Sequence, residues 1–289
     1  MNLPKIVCPH ELSLLQALTG HTLVVRAEDM ASVRAAADDV RNSGNHLFCV
    51  IFDSDRPLDE LELGDELRDI PLAIMAPSLG KFRRLAKQVN RLQNLNIRFY
   101  LPCHDSENIV SLRILSSLGL CGCADFRNGK QDWDALADLM TYGVLERTPH
   151  APIEPFAYIA SHYDPLAYID WNGVYFEGPD RFLHTDRRGR VALSHVELQN
   201  NAFIARNLSE ISSRDEFPAI EQRQEAWRQY FIDNHPCASC DGWKLCLGAF
   251  SAGLPENNGC RAFFSEMTEV MRQYKSQKAQ FEENRVWQP

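Results

Sequence analysis

Four cysteines near the carboxyl end of the 289-residue chain have a spacing that suits metal chemistry. The stretch "CASCDGWKLC" contains Cys237, Cys240 and Cys246, and Cys260 follows, which gives the pattern C-x2-C-x5-C-x13-C. Two cysteines separated by two residues can ligate one metal centre from a single turn of chain. Thiolate-only sites suit zinc or an iron–sulfur cluster. The alternative is coincidence, because single cysteines often pack as small hydrophobes.

The composition narrows the class of protein. The formal net charge of −9 argues against nucleic-acid binding, which needs a basic surface, and against docking on anionic lipid. The sequence has no run of about 18 apolar residues, so we expect no membrane span. The start "MNLPKIVCPHELSLL" has no secretion signal, so we expect a cytoplasmic protein, in which the nine cysteines stay reduced.

The first half of the chain alternates apolar stretches of strand length with amphipathic stretches of helical period. This rhythm predicts an α/β fold with parallel strands, and five to six strands are too few to close an eight-stranded barrel. We therefore expect a partial (β/α) barrel over residues 1–150. The predicted strands are "HTLVVRA" (21–27), "HLFCVIFD" (46–53), "IPLAIMAP" (70–77), "IRFYLP" (97–102) and "LCGCADF" (120–126).

The second half has a different pattern. Three prolines in "TPHAPIEPF" predict a linker over 151–165, and the turn signals "WNG", "EGPD" and "RRGR" predict a small antiparallel sheet. A helix is expected at about 218–233, and an amphipathic helix at about 261–283. We place a small α+β domain at 166–271 and a C-terminal helix and tail at 272–289.

The cysteine window resembles the SPASM domain, the auxiliary-cluster domain of many radical SAM enzymes that modify peptides or proteins. The family pattern is C-x9-15-G-x4-C, a gap, C-x2-C-x5-C-x3-C, a gap and a final C. The resemblance covers residues 150–270, including "NAFIARNLSEISSRDEF", and is weaker in the first half. It implies that the four cysteines named above ligate one [4Fe–4S] cluster, with zinc as the alternative cofactor.

The chain departs from this family in two ways. Ser194 follows Gly189 after four intervening residues, where a cysteine is expected, and Phe250 stands at the fourth position of the cysteine run, so the ligands of a second cluster are missing together. The C-x3-C-x2-C motif that binds and cleaves S-adenosylmethionine is also missing, and Cys8 stands alone near the amino end. The resemblance therefore implies a pseudo-radical-SAM protein with no S-adenosylmethionine site.

Cysteines elsewhere could form a second site. Cys103 and His104 follow one predicted strand, and Cys121 and Cys123 lie in the next, where the strand ends of a barrel carry active sites. An enzyme with a new metal site at these four residues is one alternative. The other interpretation is that the cysteines are small buried side chains.

Several other polar residues are candidates for a site. Asp53 and Asp55 could bind a cation at a strand end, although acidic loops are common. His162, His184 and His195 have no metal-ligand spacing, so we expect them to be surface or core-filling residues.

The chain is expected to be an accessory protein rather than a self-sufficient radical SAM enzyme. It would bind a substrate peptide, pair with a radical SAM enzyme, or pass electrons through its cluster. A zinc-stabilised binding module is a further alternative. Trp243 and Phe250 are expected to pack over the metal centre, and Lys244 and Arg261 to offset its negative charge.

Overall fold

The computed structural model describes residues 4–127, 130–178, 180–211, 218–250 and 259–286. The fold is α/β, and its strands are mostly parallel. The strands are β1 Lys5–Pro9, β2 Thr22–Ala27, β3 His46–Asp53, β4 Leu72–Met75, β5 Ile97–Pro102, β6 Cys121–Asp125, β7 Ile153–Glu154, β8 Phe182–Thr185 and β9 Val191–Ala192. The helices are α1 Leu12–Ala17, α2 Met30–Asn42, α3 Phe82–Ala86, α4 Val89–Leu92, α5 Ser106–Ser117, α6 Trp133–Leu145, α7 Phe156–His162, α8 His195–Gln199, α9 Pro218–Ile232, α10 Trp243–Cys246 and α11 Gly259–Val286.

The chain divides into two compact units. Unit 1 comprises Met1–Leu101 and Asn172–Glu221, and unit 2 comprises Pro102–Trp171 and Gln222–Pro289. These limits differ from the predicted domain limits, because the segment that contains β8 returns to unit 1. The described parts contain no helix that combines the length and the apolar character needed to cross a membrane.

Unit 1 is built on strands in the order β5-β4-β3-β2-β1-β8-β9. All pairs are parallel except β8 with β9. Leu23, Val24 and Val25 are consecutive in β2 and fully buried, as expected for a parallel strand covered on both faces. The five strands predicted from the apolar stretches are all present, whereas β1, β7 and α6 were not predicted.

The predicted antiparallel sheet in the second half is only partly correct. β8 pairs in parallel with β1, in the register Ile6 to Leu183, and is antiparallel only to the two-residue strand β9. All four residues of β8 are buried, which suits a strand inside a covered sheet rather than one with a wet face. The "WNG" stretch begins a 3-10 helix, Asn172–Tyr175, instead of a turn between strands.

Helix boundaries follow local chemistry. Asp29 caps α2 with a capping box, in which its side chain accepts from Ser32 N. The stretch "LGKFRRLAKQVNRLQNL" (79–95) has apolar residues at helical spacing, which predicts one helix, but it forms two short helices, α3 and α4, in which only Leu85 and Leu92 are buried. Ser106 is a candidate N-cap by residue type, but it is the first residue of α5, and Asp105 caps the helix instead.

Unit 2 has an aromatic core. Phe263 on α11 has its ring centroid 5.2 Å from that of Trp133 on α6 and 6.3 Å from that of Phe126. Phe156 at the start of α7 lies 6.2 Å from Phe126. Because these rings come from distant parts of the sequence, the long helix α11 is fixed against the α6 and α7 side of the unit.

The Tyr100 hydroxyl joins the two chain segments of unit 1. It donates to the carbonyl oxygen of Val174 at 2.8 Å in a buried position. Tyr100→Phe leaves that carbonyl without this donor, and we expect it to lower the free energy of unfolding by about 1–2 kcal/mol. Denaturant titration measures this, with the exposed Tyr168→Phe as the control, which should change by less than about 0.5 kcal/mol. Equal effects of the two variants would contradict this role.

Candidate metal centre

Two short helical turns carry Cys237 and Cys246, and Cys240 directly follows the first turn. Pro236–Ser239 is a 3-10 turn that contains Cys237, whose N–H donates to His235 Nδ1 at 3.2 Å. Cys246 ends α10, after which Leu247 and Gly248 have left-handed φ values of 52° and 76°. The left-handed turn reverses the chain directly after Cys246, so the segment bends around the thiol.

The backbone of this segment is anchored on both sides. Trp171 Nε1 donates to the carbonyl oxygen of Leu245 at 2.6 Å, and Trp227 Nε1 donates to that of Leu247 at 3.1 Å. The N–H of Ile169 donates to the carbonyl oxygen of Lys244 at 3.0 Å. These bonds fix α10 between two other parts of unit 2 and hold the cysteines on a defined scaffold.

Two glycines permit close packing at this scaffold. A Cβ on Gly242 would lie 2.3 Å from Phe264 Cβ and 2.9 Å from the Phe264 backbone carbon. A Cβ on Gly259 would lie 2.3 Å from Trp133 Cδ1. The first glycine brings the cysteine segment against α11, and the second lets α11 begin beside Trp133, one residue before Cys260.

The thiols lie within electrostatic reach of one another. Burial raises the pKa of Cys237, and the negative charges of Cys260 and Cys240 raise it further. Burial raises the pKa of Cys260, and Cys240 again adds to the effect. The structure therefore brings the four sequence-predicted ligands together as one electrostatic group.

Backbone N–H groups point at two of the sulfurs. Burial raises the pKa of Cys246 to about 11, while hydrogen bonds from the amides of Phe250, Gly248 and Ala249 lower it in part. The amides of Arg261 and Cys260 likewise favour the Cys260 thiolate. Such N–H···S bonds help to set the reduction potential of iron–sulfur clusters. This donor set fits a thiolate-bound cluster, which would supply electron transfer when bound.

The arrangement is looser than a closed single-ion site. Within the parts of the chain that the structure describes, no three His, Cys, Asp or Glu side chains form a group that could hold one metal ion. The scaffold holds the thiols near one another, but they do not converge on a single position as the ligands of one metal ion would. Because burial raises the pKa values of Cys237, Cys246 and Cys260, metal binding must displace protons from these three thiols.

The neighbours predicted for the cysteines have specific contacts. Trp243 is surrounded by Trp227, Tyr230 and Phe231, at ring-centroid distances of 6.1, 5.7 and 5.7 Å. Lys244 Nζ donates to the Pro165 carbonyl oxygen at 2.6 Å.

Arg261 Nη2 donates to the Ser239 carbonyl oxygen at 3.4 Å, between the two cysteine-bearing segments. This arginine therefore places a positive charge beside the cysteine backbone.

The positions of the missing second cluster have other structural roles. In unit 2, Phe250 packs on Trp133 and Phe264, at ring-centroid distances of 5.0 and 5.7 Å. In unit 1, Gly189 has φ 79° in the "RRGR" turn, and the Ser194 hydroxyl caps α8 by accepting from Glu197 N at 3.1 Å.

The four residues of the second predicted metal site differ in their exposure to solvent. Cys103 and Cys123 are buried, Cys121 is half-buried and His104 is exposed. Burial and the neighbouring charge of Asp125 raise the pKa of Cys103, so this thiol is protonated near neutral pH. These features suit buried cysteines, and a metal site there stays a prediction.

Three of the remaining candidates are exposed side chains. Asp53 is exposed and forms an ion pair with Arg26 at 2.7 Å, and Asp55 is exposed. His162 is exposed on α7, with its ring stacked at 4.1 Å on Tyr158.

Comparison of the chain with models of protein families, with curated proteins and with solved structures finds no match.

Gly242→Ala tests whether close packing positions the cysteines. The new Cβ would collide with backbone, which cannot move aside cheaply, so we expect a loss of about 1–3 kcal/mol in the free energy of unfolding. Gly143→Ala in α6 is the matched control, because its Cβ would meet Ile153 at an ordinary 3.5 Å. It should be neutral or stabilising. Thermal unfolding that is equally lowered in both variants would contradict the packing account.

Alkylation tests whether the cysteine group binds metal. After chelation, Cys237 and Cys240, which are half-buried, should react with iodoacetamide, whereas bound metal should protect them. Buried Cys8, whose pKa is raised to about 12 by burial, is the internal control and should stay unlabelled. Peptide mass spectrometry measures each site. The same labelling of Cys237 with and without chelation would show that it is not a ligand.

Proposed function

We propose that this chain is an iron–sulfur protein that serves as a partner in a radical-SAM-type system that modifies peptides or proteins. Cys237, Cys240, Cys246 and Cys260 would hold one [4Fe–4S] cluster. The observation that carries the proposal is the gathering of these four thiols in unit 2, with backbone N–H groups on two of them. The SPASM-like spacing selects the cluster over zinc.

The absence of a C-x3-C-x2-C motif supports an accessory role. Such a chain offers no triplet of thiolates for S-adenosylmethionine cleavage, and Cys8 is a buried, protonated thiol. The chemistry of the system would then belong to a partner enzyme. This chain would bind the substrate peptide, pair with the enzyme, or deliver electrons to it.

An apolar surface beside the cysteines supports the pairing role. Leu166, Tyr168, Phe231 and Ile232 are 87, 64, 52 and 67% exposed. Tyr168 contacts Trp227, and Phe231 contacts Trp243, the residue between Cys240 and Cys246. Exposed apolar groups that adjoin one another mark protein contact sites. A partner docked there would lie close to the proposed cluster.

The cluster assignment predicts distinct effects for two cysteines. Cys240→Ser should abolish the visible absorbance and the labile sulfide of protein purified without oxygen, because a thiolate ligand is lost. Cys123→Ser, in buried β6, is the matched control and should keep both. Retained absorbance in Cys240→Ser, or its loss in Cys123→Ser alone, would contradict the assignment.

The docking surface can be tested separately from the cluster. Tagged protein, isolated without oxygen from its native cells, should carry a bound protein that contains the C-x3-C-x2-C motif. Phe231→Asp should reduce that capture about tenfold or more while iron content is unchanged. Val110→Asp on α5 is an equally exposed control in the same unit and should have no effect. Capture that is insensitive to Phe231→Asp, or that brings down no such protein, would contradict the pairing role.

A further inference from the structure

A small cavity lies at the carboxyl ends of three neighbouring parallel strands in unit 1. It has a volume of about 210 Å³ and is lined by Cys8 of β1, Arg26 of β2, Thr185 of β8 and His195 of α8, among others. This volume is enough for several waters or for one small molecule.

The position of the cavity matches the topology. β1 lies between β2, which follows it directly in the chain, and β8, which comes much later. The strand order therefore reverses beside β1. Open parallel sheets bind ligands outside the carboxyl ends of their strands at such a reversal.

Buried donors with no partner lie on the residues that line this cavity. Thr185 is 2% exposed, and its Oγ1 has no hydrogen-bond partner among the described residues. Arg26 donates through Nη1 to Asp53, but its buried Nε has no hydrogen-bond partner among the residues that the structure describes. Leaving buried donors unpaired is unfavourable, so such atoms need an explanation.

His195 adds a third donor through its tautomer. Gln199 Nε2, an amide nitrogen that can only donate, lies 3.1 Å from His195 Nε2. In the neutral ring the proton is therefore on Nδ1, which is buried and has no partner among the described residues. Burial, followed by the charges of Arg26 and His184, lowers the pKa of His195 to about 4, so the neutral ring persists at pH 7.

Two carboxylates near the cavity are paired with arginines. Asp53 is paired with Arg26, and Asp186 is paired with Arg190 at 2.6 Å. Glu177 is not among the lining residues; its Oε1 accepts from His195 N, and its Oε2 lies 3.3 Å from His184 Nε2 but has no hydrogen-bond partner among the described residues. Burial raises the pKa of Cys8 to about 12, so its thiol carries no charge. Among the described residues that line the cavity, the buried polar side-chain atoms without a partner are therefore Arg26 Nε, Thr185 Oγ1 and His195 Nδ1, and each can donate a hydrogen bond.

We propose that this cavity binds the oxyanion group of a small molecule, a carboxylate or a phosphate, through Arg26 Nε, Thr185 Oγ1 and His195 Nδ1. A charged guanidinium with two neutral donors is the complement of an anionic oxygen group. The site requires neither the cluster nor a partner, so its test is independent of the function proposed above.

Calorimetry on the full chain at constant ionic strength tests this, with inorganic phosphate, acetate and succinate as probes and chloride as the reference. We expect saturable binding of phosphate or of a carboxylate, and the better probe identifies which oxyanion the cavity prefers. Thr185→Val and Arg26→Gln should each weaken binding about tenfold or more. Arg68→Gln, an exposed arginine of unit 1, should not change it.

Folding of each variant is checked by circular dichroism. If Thr185→Val does not fold, two other measurements decide whether the cavity binds the oxyanion. They are the affinity of Arg26→Gln and the change in the NMR chemical shift of the His195 Nδ1 proton when ligand is added to the wild-type protein. No saturable binding of any of the three probes would overturn the proposal. Binding with the same affinity in Arg26→Gln, or without a shift of that proton, would also overturn it.

Discussion

Four thiolates cannot be held close together inside a protein unless positive charge compensates them. Here burial raises the pKa of Cys237 and of Cys260; the charges of Cys260 and Cys240 raise the pKa of Cys237 further, and the charge of Cys240 raises that of Cys260. Burial favours the protonated thiols of Cys237, Cys246 and Cys260. The proposed metal centre would displace these protons, and its binding free energy would add to the stability of the fold around it. The rest of unit 2 is best understood from this constraint.

The scaffold meets the constraint through packing rather than through charge. The indole donors of Trp171 and Trp227 hold the α10 backbone, and Gly242 brings it against α11. Cys260 lies in the first turn of α11, where free N–H groups favour a negative sulfur. Aromatic residues and Gly242 therefore fix the separation of the two cysteine-bearing segments of unit 2.

The sequence predicted the local features well. The parallel strands followed from continuous apolar stretches, and α9 and α11 followed from their helical period. The placement of β8 could not be predicted, since its four residues read equally well as part of a hairpin, and its pairing with β1 is a contact between distant segments. The prediction of a single helix over 79–95 was wrong. The apolar residues have helical spacing, but only two of them are buried in the two short helices that form.

A site could be predicted from the sequence only where its residues lie close together along the chain. The spacing of the cysteines was visible in one short window, whereas the donors around His195 come from β2, β8 and α8 and share no motif. His184 and His195 were expected to be surface or core-filling residues. His184 is indeed buried, but it contacts Glu177 and the carbonyl oxygen of Phe176, within a polar cluster that topology assembles.

Elemental and sulfide analysis of the wild-type protein, purified without oxygen, tests the central claim most directly. The account predicts iron and acid-labile sulfide in equal amounts, at the stoichiometry of one [4Fe–4S] cluster per chain. Stoichiometric zinc without sulfide, or a protein that binds no metal, would contradict it.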